Sequence, residues 1–295
     1  MSVIIFPKRW TIKPSLGSQI NRGHPLAHDL ASFWALNESG GLAAKDAAGI
    51  NHGAISASVG WVGGKNGSAL SFDGVDTHNI QIANTGTLAF TDKVTVVALV
   101  RPRNTPAGIF DKTIGGATNK SFLLFVSAGG NFYFRVIGPL SAQYDAISVT
   151  LASDAWIHVA GTFDGTNVKI YVNGILEATT AAINTIAFGA GVSLIGEIGS
   201  AFYAFNGLIE HVGVWHAALS ASEISRLSVE PYAMFLPQSP RVRYFITPVP
   251  SVIFAKRLLA FAQILGGTPN ATSATGFTNY PQIAASGGFQ VICLD

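Results

Sequence analysis

The chain of 295 residues has a single cysteine, Cys293. An intrachain disulfide and a cysteine-rich zinc site are therefore excluded. Charge is also scarce: Asp, Glu, Lys and Arg make up 12% of the residues, against about a quarter in ordinary globular chains. The 18 basic and 16 acidic residues leave a formal net charge of +2. No basic run or arginine-rich helix is present, which argues against nucleic-acid binding. No apolar run reaches the roughly 20 residues that span a bilayer. The longest candidate, SVIFAKRLLAFAQIL from Ser251, is broken by Lys256 and Arg257. At the start, MSVIIFPKRW places Pro7, Lys8 and Arg9 after the short apolar run, the reverse of a secretory signal. The expectation is synthesis in the cytoplasm without a signal peptide.

Catalytic motifs are missing as well. Polysaccharide hydrolysis needs two carboxyl groups about 5–10 Å apart. The Glu-x-Asp-x-x-Glu arrangement that supplies them on one strand face does not occur. Glu197 stands alone in LIGEIGS, and Glu210 has no acid at the second or fourth position after it. His211 and His216 are five residues apart and fall on opposite faces of a regular strand. His24 and His28 flank Pro25 and lack the glutamate of a helical zinc motif. No Gly-Lys-Ser/Thr phosphate loop and no Gly-x-Ser-x-Gly elbow occurs. The expectation is a protein that is not an enzyme.

What is present is apolar and β-patterned. Hydrophobic residues are 48% of the chain and mean hydropathy is +0.38, enough to bury a large core and leave apolar surface for packing against other subunits. The segment AWIHVAGTFDGTNVKIYVNG (155–174) alternates apolar and polar residues around Asp164-Gly165 and ends in Asn173-Gly174. Asn-Gly is the strongest short hairpin signal, because a type I′ turn needs positive φ at both central residues. The segment reads as a three-stranded meander with His158 as a scaffold residue. KVTVVALVRP reads as a strand covered on both faces, and SFLLFVS with NFYFRVI as a hairpin. At least ten strands with little helix argue for a β-sandwich. One helix is predicted at ALSASEISRL, where Ser220 and Glu223 form a capping box and Pro231 provides the stop.

Three domains follow from composition. Residues 1–27, with prolines at 7, 14 and 25, read as an N-terminal arm. Residues 28–230 carry the sandwich. Residues 231–295, with prolines at 231, 237, 240, 248 and 250, read as an extended assembly arm.

Three blocks, SALSFDGVDTHNIQIA, WIHVAGTFDGTNVKIYVNG and FNGLIEHVGVWHAALSASEI, resemble the signatures of laminin G-like domains of the concanavalin A-like superfamily, in order and spacing, over roughly residues 30–228. The resemblance implies an all-β, concanavalin A-like jelly-roll β-sandwich of two antiparallel sheets that binds glycans or proteins or serves as a structural module. It also implies a structural calcium at the matching positions Asp73, Asp76 and Glu210. Two positions depart from the pattern: Thr77 stands where the family has a second Asp, and His211 where it has a second acid. RGHPLAHDLASFWALNESGG and EPYAMFLPQSPRVRYF are similar to chains from bacteriophage genomes.

Aromatic side chains are the remaining candidates. Trp34, Trp61, Trp156 and Trp215 fall in predicted strands, with Trp156 and Trp215 read as core. Trp61 in VGWVGGKNG and Tyr203 in SAFYAFNG, with Phe202 and Phe205, are the ligand candidates, since exposed aromatics stack on sugar faces. The leading functional expectation is a non-enzymatic bacteriophage virion structural or decoration protein, capsid- or tail-associated, forming a homo-oligomer, taken as a trimer. Its partners would be other virion proteins and itself. The alternative is a glycan-binding adhesin or receptor-binding module with cell-surface glycans as partners. A glycoside hydrolase ranks last.

Overall fold

The computed structural model describes residues 11–236 apart from positions 104, 114–119, 183–184, 188, 190 and 200–202, together with residues 244–245 and 290–291. The chain divides into two compact units, Met1–Leu236 and Pro237–Asp295.

The strands of the first unit are β1 (Leu30–Trp34), β2 (Ala43–Ala44), β3 (Gly53–Ile55), β4 (Gly60–Gly63), β5 (Ser68–Asp73), β6 (Ile80–Ile82), β7 (Val94–Pro102), β8 (Ala107–Thr113), β9 (Lys120–Val126), β10 (Asn131–Ile137), β11 (Gln143–Leu151), β12 (Ile157–Phe163), β13 (Asn167–Val172), β14 (Ile175–Ala181), β15 (Ser193–Ile195) and β16 (Asn206–Trp215), followed by helix α1 (Ala221–Val229). They form two eight-stranded antiparallel sheets. The first runs β14-β13-β12-β7-β16-β5-β4, with β1 sharing the second edge of β16. The second runs β11-β10-β9-β8-β15-β6-β3-β2. This is the concanavalin A-like jelly-roll sandwich that the signature blocks imply. In the second unit Tyr244–Phe245 (β17) pairs antiparallel with Gln290–Val291 (β18).

Alternation of side chains decides which face each strand buries. In β10, Phe132, Phe134 and Val136 point into the sandwich, where they meet Val96, Val159, Phe163 and Ile170 of the first sheet. Burying an apolar side chain of this size contributes about 1.5–3 kcal/mol. The sheets approach closely at Gly161, where a Cβ would lie 2.0 Å from the Phe134 ring.

The meander read from the sequence is β12-β13-β14. The Asp164 carboxylate accepts hydrogen bonds from the amides of Thr166 (3.0 Å) and Asn167 (2.8 Å) to build its first turn. Asn173 and Gly174 take φ of 50° and 82° at its second. The capping box of α1 is formed: Glu223 N–H donates to Ser220 Oγ, and Ser220 N–H donates to Glu223 Oε2.

The outer face of the first sheet is covered. Phe33, Val97, Ala160, Tyr171 and Trp215 pack under a layer made of Ile20, Leu26, α1 and Tyr232–Phe235. Strand β7 is accordingly buried on both faces, as its unbroken apolar run predicts. Ile20 bridges Phe235, and the Trp215 indole donates to Leu26 O at 2.8 Å. Prolines suggest that the sandwich ends at 230, but the first unit runs to Leu236. The reason is apolar: Tyr232, Met234 and Phe235 are buried. Trp156 lies just before β12 and is half-buried, so it is not part of the core as expected. Trp34 and Trp215 are fully buried.

Candidate functional site

Among the described residues, the outer face of the second sheet carries only Ile198 and Tyr203 over β9 and no such layer over β10 and β11. Between the core phenylalanines, the alternate positions face outward. Cross-strand register arranges them in two rows, Phe125–Tyr133–Ile147 and Leu123–Arg135–Asp145. Side chains directly opposite one another on a sheet face are in contact range. Phe125 and Tyr133 stack with ring centroids 5.0 Å apart and planes at 28°. Arg135 and Asp145 form a two-pronged ion pair at 2.7 Å on both arms, and the guanidinium carbon lies 5.5 Å from the Phe125 centroid. The hydrogen bonds that Arg135 donates to Asp145 raise its pKa, outweighing burial, so the guanidinium is charged throughout.

A third ring comes from the connection between β15 and β16. Tyr203 also stacks with Phe125, 5.9 Å away with planes at 22°. The connection crosses the sheet at Gly108, whose N–H donates to Tyr203 O at 2.9 Å. Only glycine permits this crossing, because a Cβ there would sit 2.5–2.6 Å from backbone atoms of Ile198, Glu197 and Tyr203. Glu197 anchors the start of the connection by accepting from Thr77 N (2.9 Å) and Asn79 Nδ2 (2.6 Å). Phe125 is thus buried against two half-buried tyrosines, beside a neutralised Arg–Asp pair. The arrangement offers apolar ring surface next to fixed donors and acceptors, the combination that orients a small polar ligand.

Of the two aromatic candidates read from the sequence, Tyr203 lies in this cluster. Trp61 lies elsewhere, on edge strand β4, packed against the inner core and donating to Gly41 O at 2.8 Å. Phe205 is fully buried against Phe72, and Phe202 lies outside the described residues. Sequence reading missed Phe125, Tyr133, Arg135 and Asp145. The signal for Tyr133 and Arg135 is the alternation within NFYFRVI, where they sit between core aromatics.

The three calcium positions are not brought together. Asp73 pairs with Asn206 at the end of β5. Its carboxylate accepts from Val75 N and meets His78 at 2.9 Å. Asp76 lies exposed in the turn that follows. Glu210 lies on the neighbouring strand β16 of the same sheet and is buried on its covered face. Its carboxylate accepts from the amides of Lys65 (2.5 Å) and Asn66 (3.0 Å) and from the Tyr232 hydroxyl (3.2 Å). Gly64 leaves room for it, since a Cβ there would be 2.5 Å from Glu210 Oε2. Calcium takes six to eight oxygens. Among the described residues no group of three or more His, Cys, Asp or Glu side chains is placed to hold a metal ion. The donor set implied by the resemblance therefore does not fit one.

His211 and His216 also have separate surroundings. His211 stacks on Phe33, whereas His216 stacks on Phe90 and contacts Thr87 O.

Residues 72–225, just over half of the chain, match the family described as the concanavalin A-like lectin/glucanases superfamily, in its laminin G-like form. The chain belongs to this superfamily. A search of curated proteins gives no match. Solved structures share the fold at low identity. The binding domain of Paraclostridial mosquitocidal protein 1 superposes with a TM-score of 0.59 at 15% identity, covering 77% of this chain and 57% of that one. Domain 4 of AbnA, a GH43 extracellular arabinanase from Geobacillus stearothermophilus, was solved in complex with arabinotriose; it superposes at 0.55 with 21% identity, covering 68% and 98%. Trypanosoma rangeli sialidase superposes at 0.53 with 15% identity, covering 74% and 36%. The superfamily chain described here thus spans nearly all of the arabinanase domain but only 57% of the mosquitocidal binding domain and 36% of the sialidase.

Proposed function

We propose that the sandwich is a non-catalytic glycan-binding module and that the outer face of the second sheet is its platform. The observation that carries this reading is the stacked cluster of Tyr203, Phe125 and Tyr133 beside the Arg135–Asp145 pair, on a sheet face where β10 and β11 have no covering layer among the described residues. A pyranose or furanose ring presents C–H groups on one face and hydroxyls around its rim. Tyrosine rings match the first, and a fixed guanidinium–carboxylate pair matches the second. Because Arg135 and Asp145 cancel, the favoured ligand is a neutral saccharide rather than an acidic one. The arabinanase domain solved with arabinotriose supports the choice of ligand class. The test is binding of the full chain to a panel of neutral and acidic oligosaccharides. Tyr133→Ala and Tyr203→Ala are each expected to weaken the best ligand about tenfold, or roughly 1.4 kcal/mol, with little change in melting temperature. Equal binding by both variants would overturn the assignment.

A second reading concerns setting. Exposed apolar side chains line β11 and the start of β14: Val149 at 78%, Leu151 at 54% and Ile175 at 69%. Apolar surface of this kind marks contact with other proteins. It favours a structural role in a larger assembly, for which a bacteriophage virion and a homotrimer are our proposal. Native mass spectrometry of the full chain tests it; a monomer at all concentrations would count against self-assembly.

A further inference from the structure

The misfit of the calcium positions leaves a question at Glu210, the one acid of the three that is buried. A cation is nevertheless present beside it, and the chain itself supplies it. Lys13 reaches across to this sheet, and its ammonium donates to three backbone carbonyls, those of Leu36 (3.0 Å), Ser68 (2.5 Å) and Glu210 (2.6 Å). An ammonium has three N–H donors and a neutral amine only two, so three carbonyl acceptors match the charged form. Burial lowers the Lys13 pKa from 10.5 to about 7, against the attraction of the Glu210 and Glu38 carboxylates, so the ammonium form is full only at mildly acidic pH. The stem packs on Gly67, where a Cβ would lie 2.9 Å from Lys13 Cβ, and Lys13 N–H donates to Asn66 O at 3.0 Å.

These oxygens converge from separate parts of the fold: the loop after β1, the start of β5 and the middle of β16. None is a lone feature of one turn. Separations of 2.5–3.0 Å suit an ammonium and exceed much of the 2.3–2.6 Å range of calcium–oxygen bonds. Rings of backbone carbonyls likewise replace the hydration shell of potassium elsewhere.

We propose that Lys13 is a built-in cation filling an oxygen-lined site on the covered face of the first sheet, and that deleting its side chain opens this site to a free ammonium-sized monovalent cation. The lysine does for the residues beside it what a bound ion would do, and it also fixes residues 11–20 onto the sheet. The fold then needs no calcium at Glu210.

Thermal unfolding of full-length Lys13→Ala at mildly acidic pH tests this, in ammonium, potassium or tetramethylammonium chloride at matched ionic strength. The expected result is a lowered melting temperature that ammonium and potassium partly restore and tetramethylammonium, too large for the site, does not. The wild-type protein should respond to none of the three, nor to calcium or a chelator. Equal response of the variant to all three salts would overturn the proposal. Lys13→Met keeps the apolar stem and removes the charge, so it preserves a test if the alanine variant does not fold. It is expected to melt below wild type and to be cut sooner by protease within residues 11–20. A methionine variant equal to wild type in both would show that stem packing alone holds the segment.

Discussion

His158 shows what burial without a partner does to one side chain. It sits on β12, and neither ring nitrogen has a hydrogen-bond partner. Burial, helped by the Lys65 charge, lowers its pKa from 6.5 to about 3. The unfolded chain therefore takes up a proton near pH 6.5 that the folded chain refuses until about pH 3. Stability is full above 6.5 and falls as the pH drops through that window, by on the order of 4 kcal/mol at its lower end. His211 contributes in the same direction, because burial, with His158 and Lys13 nearby, holds it well below its ordinary value. His158→Leu is expected to flatten the fall of melting temperature between neutral and acidic pH; an unchanged slope would show that other groups dominate. A second residue-scale prediction concerns Gly161. Its alanine variant forces a methyl into the Phe134 ring, and overpacking of this kind costs about 1–3 kcal/mol, readable as a lower midpoint in urea. The strand placement of His158 was legible in the alternation of its neighbours. Its burial was not, because the layer over that sheet face comes from residues near 20–35 and 232–235, far away in sequence.

At the scale of elements, local chemistry carried the reading furthest where a turn or cap fixes the backbone. The Asn173-Gly174 hairpin and the Ser220/Glu223 capping box appear where their residues predict. Ser220→Ala removes the acceptor for the Glu223 amide and is expected to cost about 1 kcal/mol, measured by chemical unfolding. The sequence does not mark β11 as a strand, and its residues explain why. Its large apolar residues Ile147, Val149 and Leu151 face outward while Ala146 and Ser148 are buried, so its pattern is inverted relative to an ordinary half-buried strand. It is also the edge of the second sheet. There Glu177 of β14 accepts hydrogen bonds from the amides of Val149 (2.7 Å) and Thr150 (2.8 Å). A capped edge resists pairing with a second chain. Glu177→Ala should therefore raise the aggregation rate at fixed concentration, followed by light scattering. No change would mean that this carboxylate does not guard the edge.

For the whole molecule, the fold class was legible because three signature blocks and regular turn spacing span most of the sandwich. The candidate site was legible only at Tyr203. Its other members become neighbours through the register of β9, β10 and β11, and Arg135 meets Asp145 across strands rather than along the chain. Trp61 drew notice for its flanking glycines, yet it packs against the inner core. The account thus places saccharide recognition on an open sheet face, with a covered first sheet behind it as rigid support. The most direct test is amide chemical-shift mapping of the full chain titrated with neutral oligosaccharides such as arabinotriose. The account predicts shifts confined to residues 123–125, 133–135, 145–147 and 203. Shifts centred on residues 60–63 around Trp61 would contradict it, as would the absence of any shift across a panel of neutral and acidic sugars.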